Sequence, residues 1–284
     1  MNIIALIFDY DDTIVPDSTT QLLELYGIDP INFWEVNFKK LIGQGYNPTN
    51  AYLKLILDNV GPDKPLAVLT NSELRKFGGK VQKNQYPGLY DLVRDLRKIV
   101  KQQKDIDIEF YVISNGLEEV IKGNKFIEKN FSGVYGCRLA GDDDNSPLKY
   151  IKRSITFTEK TRYLFEINKG ITLQESDDDP FAVNRDIKNE DRRIPFKNMI
   201  YIGDGLTDIP CFSLVNRNGG VSYGILDMSK TASAKINTFK QLLKTRRVLG
   251  TYAPKYGKKE DLGGLIRLTV QSRCSEIVIE RARA

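Results

Sequence analysis

Ile3-Ile-Ala-Leu-Ile-Phe8 runs directly into Asp9-Tyr10-Asp11-Asp12-Thr13. The apolar half, rich in β-branched residues, reads as a buried strand. Three carboxylates within four positions then repel one another, and a buried strand has no structural use for them at its end. The apolar run superficially suggests a secretory leader. It lacks a basic start, Asp9 interrupts it, and no small-residue cleavage site follows, so a strand is expected.

The 284 residues are 41% hydrophobic and 28% charged, which suits a soluble globular protein of one large domain, or a core with a smaller insert. No apolar run reaches the roughly 18 residues of a membrane span. Cys137, Cys211 and Cys274 are odd in number and far apart, which excludes a CxxC pair or a disulfide framework and points to a cytoplasmic location. The chain contains no histidine. That removes Ser-His-Asp and Cys-His triads, His-bearing zinc sites and imidazole bases, leaving carboxylates, Lys, Tyr or Cys for acid–base work. The net charge of +5 is mild. The late cluster Lys244, Arg246, Arg247, Lys255, Lys258 and Lys259 reads as a solvated helix face and loop, and a nucleic-acid partner is not expected.

Ile3–Phe8, Ile108–Ile113, Met199–Ile202 and Val221–Ile225 read as buried strands followed by turn residues. Helical patterns lie between them, at Leu89–Val100 and Leu117–Phe131. Alternating strands and helices imply an α/β fold with a doubly wound parallel sheet, whose function gathers at the carboxyl ends of its strands. Residues 18 to 86 break the rhythm. They carry helical patterns at Ser18–Leu25, Phe33–Ile42 and Asn50–Leu57 and no convincing buried strand, which predicts a helical insert. Gly141–Pro147 separates two β-prone runs within Val134–Thr158, predicting a hairpin near 134–159, and Asp142–Asp144 reads as its turn tip. Polar Glu175–Asp191 reads as an exposed loop.

Four motifs follow in order: Asp9-x-Asp11-x-Thr13, Ser114-Asn115-Gly116, Lys160 at the start of a helix, and Gly203-Asp204-Gly205-x-x-Asp208. Each is weak alone. A DxD[TV] pattern arises by chance in about one chain of this size in ten, but four such motifs in order, three of them closing strands, form a joint signal. Carboxylates converging from the strand ends of the first and fourth motifs would raise one another's pKa. A divalent cation relieves that conflict, and hard oxygen ligands with open water positions suit Mg²⁺. Asp9 and Asp204 are the leading ligands, with the backbone carbonyl of Asp11 between them. Asp208 would ligate directly or hold a metal-bound water. Ser114 would donate to a phosphate oxygen and Lys160 would neutralise charge, the backbone amides after the first strand would cradle the other oxygens, and Asn115 and Gly116 would complete the substrate-binding turn. Asp9 would serve as nucleophile through an aspartyl-phosphate, Asp11 as general acid and then base, and Thr13 would orient the Asp11 loop.

These motifs, spanning residues 9 to 208, resemble those of the haloacid-dehalogenase superfamily of phosphohydrolases. The resemblance implies a Rossmann-like core over 1–17 and 87–284, and a helical cap of the first type over 18–86. It is nearest to the phosphoserine-phosphatase-like branch. The implied activity is Mg²⁺-dependent hydrolysis of a small phosphorylated metabolite. The alternatives are phosphotransfer through the same intermediate, or a non-catalytic protein binding phosphate or a polyanion. Asp11 matches the acid of the phosphatases. Ser18 departs from the branch, standing where its members carry a glutamate that pairs with the substrate's amino group. Lys169, before Gly170, competes with Lys160 for the third motif; Lys160 is preferred because it precedes its helix. Asp17 and Ser18 either cap the first insert helix or face the substrate, and Phe33, Trp34 and Phe38 read as core.

Overall fold

The computed structural model describes residues 2–143, 145–226 and 247–283, and positions 233, 236, 240 and 242 between them. The first strand, β1 (Asn2–Phe8), is buried from Ile3 onward and sits in the middle of the sheet. It pairs in parallel with β2 (Ile106–Leu117) on one side and β5 (Met199–Gly203) on the other. The sheet order is β4-β3-β2-β1-β5-β6-β7. Here β3 is Gly133–Ala140, β4 Tyr150–Arg153, β6 Val221–Ile225 and β7 Thr251–Tyr252. All pairings are parallel except β3–β4, the expected hairpin.

The chain moves outward from β1 to β4 and then returns past β1 to lay down β5 to β7. That reversal puts a topological switch point between β1 and β5, where the carboxyl ends of the strands open a crevice. The main-chain amide of Asp9 donates to the Ile202 carbonyl at 2.8 Å, extending the ladder to the first acidic residue.

Between β1 and β2 the chain is helical: α1 (Ser18–Leu25), a π-helix (Asn32–Phe38), α2 (Lys39–Gly43), α3 (Pro48–Asp58), α4 (Asn71–Val81) and then α5 (Leu89–Lys101). α5 turns Leu89, Leu92, Val93, Leu96 and Val100 to the core, the one-sided spacing of an amphipathic helix. The long helix Asp261–Arg283 buries Leu262, Ile266, Val270, Cys274 and Ile277 and packs on α5 and β1. The region after 240 thus contributes a strand and a helix that the four-strand reading lacked. Lys244 and Arg246 of the basic cluster lie outside the described residues. The three cysteines are buried and form no disulfide.

Three expectations are corrected. Leu117–Phe131 is two helices, α6 (Glu118–Gly123) and α7 (Lys125–Asn130), because the Asn124 side chain accepts from the amides of Phe126 and Ile127 and starts a new helix. β2 does not end at Ile113 but continues to Leu117, with a register slip against β3. Glu175–Asp191 is not all loop. It contains most of α9 (Leu173–Asp178), nucleated by a Thr172–Glu175 capping box, after α8 (Glu159–Lys169). A last helix, α10 (Ile209–Arg217), follows β5. Among the described residues no helix is long and apolar enough to cross a membrane.

α4 crosses α6 at backbone contact. A Cβ on Gly78 would lie 2.0 Å from the Val120 carbonyl oxygen, and one on Gly123 would lie 2.1 Å from that of Arg75. Gly78→Ala and Gly123→Ala are each expected to destabilise the fold by about 1–3 kcal/mol or more, through overpacking against backbone. Urea unfolding midpoints check this.

Candidate active site

The chain leaves β1 in a tight turn in which the amides of Ile14 and Val15 both donate to the Tyr10 carbonyl, at 2.7 and 3.2 Å. Asp12 takes a positive φ of 55° within it, a conformation aspartate tolerates better than most residues. The turn brings Asp9 and Asp11 to the same crevice.

Asp9 is buried. Its Oδ1 accepts from the Tyr10 amide at 2.7 Å, and its Oδ2 lies 3.0 Å from Lys160 Nζ. Lys160, at the start of α8, has no solvent exposure, and its ammonium also lies 2.7 Å from Asp208 Oδ1. Asp208 is equally buried. The Tyr201 hydroxyl donates to its Oδ1 at 2.8 Å and the Gly205 amide to its Oδ2 at 3.2 Å. Carboxylate oxygens of Asp9, Asp204 and Asp208 lie within 4.8 Å of one another. Burial, then the charge of Asp208, push the Asp9 carboxyl up to about 6 against the pull of Lys160. Burial alone would lower the Lys160 ammonium, but Asp208 and Asp9 outweigh it and hold the pKa well above the ordinary lysine value. Three carboxylates against one ammonium leave two negative charges when all are ionised. An all-oxygen donor set with that net charge fits a divalent cation such as Mg²⁺.

Asp11 Oδ1 accepts from the Ser18 amide at 2.7 Å, and the Ser18 hydroxyl also bonds this carboxylate. Burial, with the charge of Asp17 added, pushes the Asp11 carboxyl up to about 8. Ser114, also buried, accepts from the Gly116 amide at 3.0 Å through Oγ. Gly116 has no room for a side chain, since its Cβ would lie 2.6 Å from Asp11 Oδ2. The Asn115 side chain donates to the Ile155 carbonyl at 2.5 Å.

An open cavity of about 200 Å³ lies over these groups. It is lined by Asp9, Asp11, Ser114, Asn115, Gly116 and Asp204 from the strand ends. The opposite side comes from Asp17, Thr19, Trp34 and Tyr52 of the helical segment, with Asp12 and Thr207 completing it. Ser18 does not line the cavity: it faces Asp11, while Asp17 caps α1 through the amides of Thr19 and Thr20. Thr13 and Asp208 sit behind the cavity, fully buried. Lys169 is at the far end of α8, donating to the carbonyls of Val183 and Arg185 at 2.6 and 2.7 Å, so Lys160 is the lysine at the acidic cluster. Of the aromatic trio read as core, Phe33 is buried and Trp34 and Phe38 pack against the core, while Trp34 also lines the cavity.

Several participants carried no sequence signal. Tyr201 and Tyr52 follow no motif, and Tyr256 lies far from all four, whereas Asp17, expected either to cap or to face the substrate, caps α1 and also lines the cavity. The fully buried Tyr256 donates from its hydroxyl to the Thr13 carbonyl at 2.7 Å, and its ring meets Phe8 edge-on. Its own carbonyl accepts from Arg267, which is paired with Asp95 at 2.9 Å.

Comparison with known proteins agrees with this architecture. No family model matches the chain. It is 32% identical over 241 residues to an uncharacterized protein of Borreliella burgdorferi, covering 76% of this chain and 79% of the other, and the two belong to one family. Among solved structures, a HAD family hydrolase from Salmonella enterica serovar Typhi superposes with a TM-score of 0.53 at 14% identity, over 87% of this chain and 66% of that one. The chain has the haloacid-dehalogenase fold. The match to that hydrolase spans just under two thirds of its length. A phosphoserine phosphatase from T. onnurineus aligns over 95% of both chains at 10% identity, with a TM-score of 0.46.

Within this haloacid-dehalogenase fold, Lys160→Met is expected to cost about 3–5 kcal/mol, because it strips the ammonium from two buried carboxylates. Tyr256→Phe should cost about 1–3 kcal/mol by leaving the Thr13 carbonyl without its donor. Chemical denaturation of each variant against the parent chain measures both.

Proposed function

We propose that the protein is a Mg²⁺-dependent phosphatase that hydrolyses a small phosphomonoester through an aspartyl-phosphate on Asp9. The observation that supports this most is the meeting of Asp9, Asp11, Asp204 and Ser114 over one cavity, with Lys160 against Asp9. Asp9 and Asp204 would hold Mg²⁺, with the Asp11 carbonyl between them and Asp208 holding Lys160 and the Gly203–Asp208 turn in place. When bound, the ion would offset the negative charge of the acidic cluster and of the substrate phosphate.

An Asp9 carboxylate oxygen attacks phosphorus, and the bond from phosphorus to the alcohol oxygen breaks. Asp11, its carboxyl held protonated by burial, gives its proton to that oxygen. Water then attacks the aspartyl-phosphate, Asp11 takes its proton, and the bond from phosphorus to Asp9 breaks to release inorganic phosphate. Ser114 Oγ and the backbone amides after β1 bind the phosphate oxygens, while Lys160 keeps the Asp9 side chain in line and ionised. The helices of 18–86 act as a cap, since they supply one wall of the cavity and the core supplies the other. A closed cap limits water during the first step.

Release of phosphate from an aryl phosphate in the presence of Mg²⁺ is the direct test. Asp9→Asn should abolish turnover, and Asp11→Asn should slow it by about 10²–10⁴-fold; activity that survives Asp9→Asn rejects the assigned nucleophile. Mg²⁺ at about 100 times its dissociation constant should add about 2.7 kcal/mol of stability. Thermal denaturation should show this gain, and Asp204→Asn should lose it.

A further inference from the structure

The two walls of the cavity differ in chemistry. The strand-end wall holds the groups that handle phosphate. The helical segment contributes Trp34, Tyr52 and Asp17 to the lining. Among the described residues no lysine or arginine lines the cavity, and Lys160 is buried beside Asp9.

The aromatic wall is held from both ends. Trp34 Nε1 donates to Thr20 Oγ1 at 2.9 Å, and Thr20 Oγ1 donates to Asp17 Oδ2 at 2.5 Å. The Tyr52 hydroxyl donates to the Asn115 carbonyl, tying its ring to the phosphate wall. The two ring centroids are 6.2 Å apart, tilted by 44°. Trp34 lies in the π-helix Asn32–Phe38, a rare backbone form that concentrates at functional sites.

With a divalent cation offsetting the buried cluster, the Asp17 carboxylate remains in the lining beside the leaving group. An anionic leaving group is repelled there, and a neutral one gains no charge interaction. A cation gains both the carboxylate field and the negative faces of two rings. Asp17 already accepts from Thr19 N, Thr20 N and Thr20 Oγ1, so it offers charge more than free acceptor sites, which suits an alkylated nitrogen. The volume of about 200 Å³ equals roughly seven waters, room for a phosphate and an alcohol of a few carbons.

We infer that the preferred substrate is the phosphomonoester of a small amino alcohol bearing a positive charge, with Trp34, Tyr52 and Asp17 setting that specificity. The inference rests on the phosphatase reading above. The test measures kcat/KM with Mg²⁺ for matched esters: choline phosphate against 3,3-dimethylbutyl phosphate, and 2-aminoethyl phosphate against propyl phosphate. An aryl phosphate serves as reference. At least one charged ester should exceed its neutral isostere by about tenfold or more, the scale of a desolvated cation–π contact. The pair in which this occurs separates alkylated from primary ammonium. A smaller ratio in both pairs overturns the inference and leaves the phosphatase reading standing. No turnover of any ester, the reference included, removes that reading and this one with it. Asp17→Asn keeps a side chain that caps as well as aspartate while removing its charge. In it, and in Trp34→Leu, the ratio of charged to neutral ester should fall towards one; a ratio unchanged in both variants overturns the assignment of this wall.

Discussion

A single buried ammonium holds the site together. Lys160 lies within 3.0 Å of both Asp9 and Asp208, and none of the three side chains is appreciably solvated. Ions removed from water are tolerated only when their partners satisfy them closely. Tyr201 and the Gly205 amide complete the shell of Asp208, and the Tyr10 amide completes that of Asp9. Each partner comes from a different part of the chain, so α8, β1 and the turn after β5 must be placed together before any of these charges is stable.

The sheet order makes this possible. Because β5 returns to lie beside β1, residues separated by nearly two hundred positions end on the same edge. The same edge orders the neighbouring turn, in which Asp11 is held by the first amide of α1 while Asp17 caps that helix. Helix start and acid placement are therefore one arrangement: the N-terminus of α1 both satisfies Asp11 and carries Asp17 to the cavity wall.

Much of this was legible from local pattern. β1 and β6 announce themselves as short apolar runs, and Asp9, Asp11 and Asp204 follow strand ends, where a side chain has few places to go but the crevice; Ser114 lies within β2, which runs on to Leu117. What local pattern misses is contact at long range. Tyr256 reaches Thr13 across 243 positions, and nothing around Tyr256 distinguishes it from any other buried tyrosine. Lys160 and Lys169 bracket the same helix, and only the direction in which α8 runs decides which one meets Asp9. Trp34 packs against the core, edge-on to Phe33 with centroids 4.9 Å apart, and it also lines the cavity, which local pattern does not reveal. The break at Asn124 and the capping box at Thr172 were readable signals, outweighed in the first case by continuous apolar spacing and in the second by high polarity.

The bond from Tyr256 to the Thr13 carbonyl also orders events in time. Translation makes the acidic turn well before the side chain that props it from beneath, which follows 243 positions later. The nascent chain therefore carries these carboxylates without that support until Tyr256 has been added. A chain ended anywhere between Asp208 and Tyr256 would hold every motif and leave the turn beneath them unsupported.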